Sequence, residues 1–459
     1  MKVHEVALDL LAPIDPLRAT RALRDLGPCV LLDGSAAAGP LATRAYVLFD
    51  PVDVVSVPAG SDGTDVDPLR VLFAALERVG AATARGAPGR FRGGAAGLLS
   101  YDVGRHLERL PATARRESEV PDAWFGLYHQ GLEIDPITGA ATLFIAECRL
   151  EDRCGATWVE RATARVLAAL SRPEEPLVKP SPVGALRSNF TRDAYLDAVE
   201  LVRASILEGD VYQVNLAQRF EAAFDGDPIA LYARLRAVNP APFSALVETG
   251  DATILSSSPE RFLAVTGRHV EARPIKGTRP ITGRADEDAS ARRDLETATK
   301  DGAELAMIVD LQRNDLGRVA AYGSVTVEEA GAIEEYAMVQ HRVAVIRGTL
   351  RDGASTEDLL RATFPGGSIT GAPKIAAMRI IEALEGVRRG VFTGSIGWIG
   401  FDGDLDLNIA IRTLVVEGGV AHFHAGGGIV LDSKPTEEYQ ETLDKGRALA
   451  AALGGRFDD

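Results

Sequence analysis

Cysteine is scarce in this chain. Its 459 residues include three, Cys29, Cys148 and Cys154, with no CxxC pair. An odd, sparse set fits a reducing compartment and argues against a disulfide scaffold or a cysteine zinc site. Basic residues are also in short supply: 50 Lys+Arg against 65 Asp+Glu give a net charge of −15. So acidic a chain repels phosphate backbones, and no nucleic acid partner is expected. No apolar run approaches the ~18 residues that cross a bilayer, so no membrane partner is expected either. The N-terminal MKVHEVALDLLAPIDP carries Glu5 and Asp9 where a signal peptide keeps an apolar stretch. The expected location is therefore cytoplasmic. The chain has no GxxxxGKS/T loop, no GxGxxG opening a helix, no GxSxG and no HExxH. The common nucleotide, hydrolase and zinc-protease signals are thus missing.

What is present is ordinary globular material, with 46% hydrophobic and 25% charged residues, which excludes a mainly disordered chain. Prolines 173, 176, 180 and 182 punctuate residues 171–187, which read as an extended connector. It separates an N-terminal region, 1–170, from a C-terminal region, 188–459. YVLFDPVDVVSV and ATLFIAECRL read as strands, and LRVLFAALERVG as a helix ended by Gly80. Beyond the connector, Thr191 predicts a helix cap, with Phe190 packing on Tyr195 and Gly209 closing the helix. A second helix is predicted from Leu295 to about Asp315. A third starts at Pro373 and is closed by Gly386. Strand-like runs fall between them: VNLAQRF, TILSSS, FLAVTG, RVAVIRG, GSIGWIGF, IAIRTLVV and VAHFHAGGGIV. Grouped strands with interspersed helices predict an α+β fold with antiparallel sheets.

Chemistry-bearing residues concentrate in the C-terminal region. In EARPIKGTRP, Lys276 lies in an apolar, turn-bounded setting, where an amine can become a nucleophile. Thr278 beside it can bind a carboxylate. Most single lysines are only exposed loop charges. In KDGAELAMIVDLQRNDLGR, Glu304 falls on one helical face with Asp301, Ile308, Leu311 and Asp315, and is costly there unless paired or bound to a cation. A buried ion pair with Arg313 would serve as well. In DSKPTEEYQETLDKGRA, Glu438, Glu441 and Lys445 share a face at i, i+3 and i+7, a spacing at which two carboxylates can meet one Mg²⁺. A solvated helix with ordinary ion pairs would look the same. Glu260 in SSSPERF and His341 in VQHRVAV are candidate proton donors. Arg412 sits in the β-branched run NIAIRTL, as a carboxylate clamp or an interior ion pair. Together these point to an enzyme acting on a small anion.

Taken in order, EGDVYQVNLAQRF, SSSPERF, PIKGTRP, IVDLQRNDLGRV, FPGGSITGAPK, GSIGWIGF, IAIRTL and AGGGIVLDSKPTEEYQET strongly resemble the chorismate-utilising enzymes. The likeness covers nearly all of residues 188–450. GGAAGLLSYDVGRHLERLP and NPAPFSALV are similar to the aminodeoxychorismate synthase branch. The resemblance implies two packed, largely antiparallel sheets with helices outside. Gln213 stands where the water-adding members carry a lysine, which argues against isochorismate and salicylate formation. Lys276 stands where anthranilate synthases usually carry alanine.

The implied reaction is amination of chorismate to 4-amino-4-deoxychorismate, with anthranilate formation as the alternative. Mg²⁺ would be held by Glu304 and Glu441, with Glu438 near. Arg412 and the amides of Gly426 and Gly427 would anchor carboxylates, helped by Lys445. Lys276 would attack ring carbon two while Glu260 protonates the departing 4-hydroxyl. Gln213, Thr278, His341 and Thr370 match positions in the family's active site. Several relatives have tyrosine where this chain has Phe392, so no hydroxyl is available there. No segment reads as a glutaminase, so ammonia is expected from a separate glutaminase subunit. LLDGS, residues 31–35, loosely resembles a tryptophan-binding stretch; tryptophan is one reading of it and a plain strand and turn the other.

Overall fold

The computed structural model describes the chain apart from residues 1, 11, 35–40, 42, 61–65, 81–87, 148–152, 154, 337 and 459. Cys148, Cys154 and Ser35 therefore lie outside the described residues. Two large sheets, of thirteen and ten strands among the described residues, are antiparallel apart from the pairing of Gly184–Ser188 with Gly455–Phe457. This is the α+β arrangement that the strand and helix signals predicted.

The sheets pack face to face. Val30, Leu48, Ile254 and Val415 from the first meet Ala96, Leu98, Trp124, Ile396 and Trp398 from the second in one buried core. Helices cover the outer faces. Leu17, Trp158, Leu231 and Leu449 pack on the first sheet. Leu69, Leu305, Leu359 and Met378 pack on the second. Strands from before and after the connector share both sheets. Val30–Asp33 pairs with Phe243–Glu248, and Gly94–Leu99 pairs with Ser395–Gly400.

Local signals placed most elements. Thr191 accepts from the Ala194 amide at 3.2 Å, and the Phe190 and Tyr195 rings meet edge to face at 5.6 Å. Such a cap contributes about 1 kcal/mol. Gly209 and Gly386 end their helices in the left-handed conformation, at φ 87° and 69°. Gly80 ends its helix differently, in an extended conformation with a ψ of 145°. YVLFDPVDVVSV is two strands, Ala45–Leu48 and Asp53–Val57, because Pro51 lacks an amide donor and Asp50 turns at φ 54°. The helix expected from Leu295 to Asp315 is two, Ala285–Thr297 and Thr299–Gly317, broken at Ala298, whose ψ of 103° cannot continue a helix. Pro373 is the residue before the helix Lys374–Glu385 rather than its first.

Candidate active site

A cavity of about 810 Å³ opens among three groups of elements. One is the strand Ile275–Pro280 with its partner Val339–Thr349. The second is the strand Val420–Ile429 with the helix Pro435–Leu453. The third is the helix Thr299–Gly317. Glu260, Lys276, Thr278, Glu304, His341, Arg412, Gly426, Glu441 and Lys445, all singled out from sequence, line it together. Residues nearly two hundred positions apart thus share one space.

Glu260 is 5% exposed, in the turn between the strands Ala252–Ser258 and Arg261–Thr266. Ser368 donates to its Oε1 at 2.7 Å. Burial raises its pKa to about 7, against the opposing pull of Ser368 and Lys276. A carboxyl group so placed can hold a proton at neutral pH and give it up, which suits a general acid.

Lys276 Nζ lies 3.8 Å from Glu304 Oε2, so its neighbour is a carboxylate rather than the apolar surroundings expected from its sequence. A β-carbon on Gly428 would sit 1.9 Å from Gln213 Nε2 and 3.6 Å from Lys276 Nζ. Glycine at 428 is what lets both side chains approach that strand. Gln213 is 1% exposed and packs behind the cavity wall, with no place in the lining.

Thr278 Oγ1 and His341 Nδ1 share a hydrogen bond of 2.8 Å across paired strands. Burial, with Arg412 adding to it, lowers the His341 pKa to about 4. The ring is neutral at pH 7, so it is a poor proton donor and a better hydrogen-bonding wall. Arg412 precedes the strand Thr413–Glu417 rather than lying in it, at φ 53°, an uncommon conformation for a bulky residue. Its guanidinium donates to the Lys445 carbonyl, and burial lowers its pKa to about 10.

Thr370 and Gly427, like Gln213, are not among the residues that line the cavity. Thr370 is fully buried, and its hydroxyl donates to the Gly366 carbonyl at 3.1 Å instead of lining the cavity. Gly427 faces the opposite way from Gly426 and Gly428, because strand residues alternate. A β-carbon there would lie 3.1 Å from Glu441 Oε1 and 3.3 Å from Glu438 Oε2.

Those two carboxylates therefore converge over Gly427. For Glu441, burial is outweighed by Lys445, whose Nζ lies 2.6 Å away, and its pKa falls. The same ammonium donates to the Gly426 carbonyl at 2.9 Å. Burial raises the pKa of Glu438, which is 3% exposed. It takes a 2.6 Å hydrogen bond from Ser433 on Oε1 and leaves buried Oε2 without a partner. Lys300 Nζ sits 3.7 Å from Glu438 and 4.0 Å from Glu304. Arg313, the partner considered for Glu304, pairs instead with Asp310. Among the described residues no group of three or more His, Cys, Asp and Glu stands ready-made as a metal site. The orphaned Glu438 oxygen and the carboxylates of Glu441 and Glu304 nonetheless suit a cation that binds through one or two carboxylates and keeps several waters.

Lys300, Asn215, Ser368, Phe392, Thr393, His424 and Gly428 also line the cavity. Of these, His424 and Gly428 could have been found from HAGGGIV, by keeping the two-residue period through Gly426. A smaller cavity of about 270 Å³ lies at the end of Val30–Asp33, lined in part by Leu32, Asp33, Tyr46, Phe243 and Trp398. Leu32, Asp33 and Gly34 of LLDGS line it, and Asp33 is paired there with Arg236 at 2.8 Å.

The fold and this cavity define an enzyme of chorismate chemistry. The sequence profile of the chorismate binding enzyme family matches residues 27–451, and the chain belongs to that family. It is 40% identical to aminodeoxychorismate synthase component 1 of Bacillus subtilis (strain 168), over 84% of this chain and 82% of that one. It is 43% identical to an anthranilate synthase component 1 of Haloarcula marismortui, over 80% of this chain and 77% of that one. The crystal structure of anthranilate synthase component I from Streptococcus pneumoniae TIGR4 superposes with a TM-score of 0.79 at 32% identity, covering 89% of this chain and 92% of that one. No described helix is long and apolar enough to cross a membrane.

Proposed function

We propose that the chain is the synthase component of an aminodeoxychorismate synthase. It would transfer ammonia, supplied by a glutaminase subunit, onto chorismate to give 4-amino-4-deoxychorismate. The observation that carries this reading over anthranilate synthesis is Lys276, an amine facing the same cavity as the raised-pKa carboxyl of Glu260. Both anthranilate and aminodeoxychorismate synthases are relatives at similar identity, so overall similarity does not choose between them.

Glu304 and Glu441 would hold Mg²⁺, with Glu438 beside them. When bound, Mg²⁺ supplies a Lewis acid to the ring carboxylate of the substrate. Arg412 and Lys445 offer cationic donors to the carboxylates of a dianion. Lys276, as the free amine, attacks ring carbon two. The double bonds shift, and the carbon–oxygen bond at carbon four breaks. Glu260 gives its proton to the departing hydroxyl, which leaves as water. Ammonia then bonds to carbon four, the double bonds shift back and Lys276 is expelled. The extra proton on nitrogen returns to Glu260. Two displacements in sequence explain why nitrogen ends at the carbon that lost oxygen.

The test is product identification. Protein incubated with chorismate, Mg²⁺ and ammonium should yield 4-amino-4-deoxychorismate, which an added lyase converts to 4-aminobenzoate. Fluorescent anthranilate formed without that lyase would identify the other branch.

A further inference from the structure

His424 lies on the strand Val420–Ile429, on the same face as Gly426 and Gly428, and lines the cavity. Its side chain is 5% exposed. The ring stacks on Phe392 with centroids 5.1 Å apart and planes 11° from parallel. Phe392 carries the Arg389 guanidinium 5.5 Å from its ring centroid. The stack is thus held from inside the protein.

Three other polar side chains of the cavity have protein partners: Glu260 has Ser368, His341 has Thr278, and Lys445 has Gly426, whereas the buried Oδ1 of Asn215 has none. The imidazole of His424 has no hydrogen bond among the described residues; Nε2 is sealed from solvent without a partner, whereas Nδ1 is not sealed in this way and is the nitrogen left to meet a bound molecule. A buried polar group without a partner needs a reason. Burial, with His422, Arg219 and Arg389 nearby, holds its pKa well below the ordinary histidine value, so the ring is neutral. A neutral imidazole offers one donor and one acceptor. The wall it belongs to adjoins the acid. The Thr393 amide donates to the Ala410 carbonyl, and the Ile409 amide donates to the Glu260 carbonyl.

We propose that His424 is a substrate-contacting residue. Its imidazole donates a hydrogen bond to an oxygen of the molecule bound in the cavity, and Phe392 fixes the ring for that contact. This rests on reading the cavity as the chorismate site.

The test uses His424→Phe, which keeps an aromatic ring on Phe392 and removes both nitrogens. Its KM for chorismate should rise about tenfold or more, the scale of losing a hydrogen bond to a charged partner, with kcat much less affected. Calorimetric titration with chorismate in a Lys276→Ala background, where the amine chemistry cannot follow, should show the same loss of affinity. Adding Phe392→Tyr to His424→Phe places a hydroxyl on the same wall and should recover part of it. An intact thermal melt with unchanged KM and unchanged chorismate affinity overturns the proposal. Where His424→Phe fails to fold, His424→Asn decides: it is polar but too short, so lost affinity supports the contact and unchanged affinity overturns it. If the protein with His424 intact binds no chorismate, the reading of the cavity falls first and this proposal with it.

Discussion

Ser368 donates a 2.7 Å hydrogen bond to Glu260 Oε1 inside the cavity, where burial has raised the Glu260 pKa to about 7. The two effects oppose each other. Burial favours the protonated acid, and the hydroxyl favours the carboxylate.

The first prediction is a pH profile. An acid that must be protonated loses activity as pH rises through its pKa, so kcat/KM should fall above about pH 7. Ser368→Ala removes a donor to the carboxylate, raises the pKa further and should move that falling limb to higher pH. Steady-state rates from pH 5.5 to 9 check the direction, and a shift to lower pH contradicts it.

Glu260→Gln separates chemistry from stability. Turnover should fall by 10² or more, on the order of a lost general acid. Stability should change oppositely at high pH. The folded pKa lies above the unfolded value of 4.5, so the favourable contribution is present below the unfolded value and is lost as pH rises through about 7. The variant should therefore gain on the native protein at pH 8 relative to pH 4, by about 3 kcal/mol at most. Denaturant unfolding at both values measures this, and an equal difference at the two pH values argues against the buried acid.

Arg412 combines a half-buried guanidinium with a φ of 53°. Strain of that kind gathers at functional sites. Arg412→Gly relieves the backbone at the expense of the carboxylate clamp. KM for chorismate should rise at least about tenfold while the melting temperature stays level or rises. A large fall in melting temperature with KM unchanged would make this arginine structural.

Lys300 lies within ion-pair distance of Glu304 and Glu438. It acts as a counter-ion where Mg²⁺ is proposed to bind. Lys300→Met should tighten Mg²⁺ binding in calorimetry, while Glu441→Gln should weaken it. Chelation of Mg²⁺ should stop turnover and leave the circular dichroism spectrum unchanged. Weaker binding in Lys300→Met would give the lysine a supporting rather than a competing role.

Much of this arrangement was legible because it is local. Thr191, Gly209 and Gly386 mark helix ends by short-range hydrogen bonding and by φ, and the spacing of Glu438, Glu441 and Lys445 needs only a helix. The breaks at Pro51 and Ala298 were harder, since an apolar stripe continues across both. Arg412 looked like a strand residue by composition. Its carbonyl instead accepts from the Ser257 amide at 3.0 Å, a contact between distant segments. VAHFHAGGGIV reads as a strand, and its alternation sets Gly427 on the other face from Gly426 and Gly428. Lys300 gave no signal, because its role comes from packing one helix against another.

The central claim is that the amine of Lys276 bonds to the ring. Intact-protein mass spectrometry after brief exposure to chorismate and Mg²⁺, with ammonia withheld, tests it most directly. A gain equal to chorismate less one water, mapped to Lys276 and absent from Lys276→Ala, is the predicted result. An unmodified protein that still makes 4-amino-4-deoxychorismate once ammonium is added would contradict it.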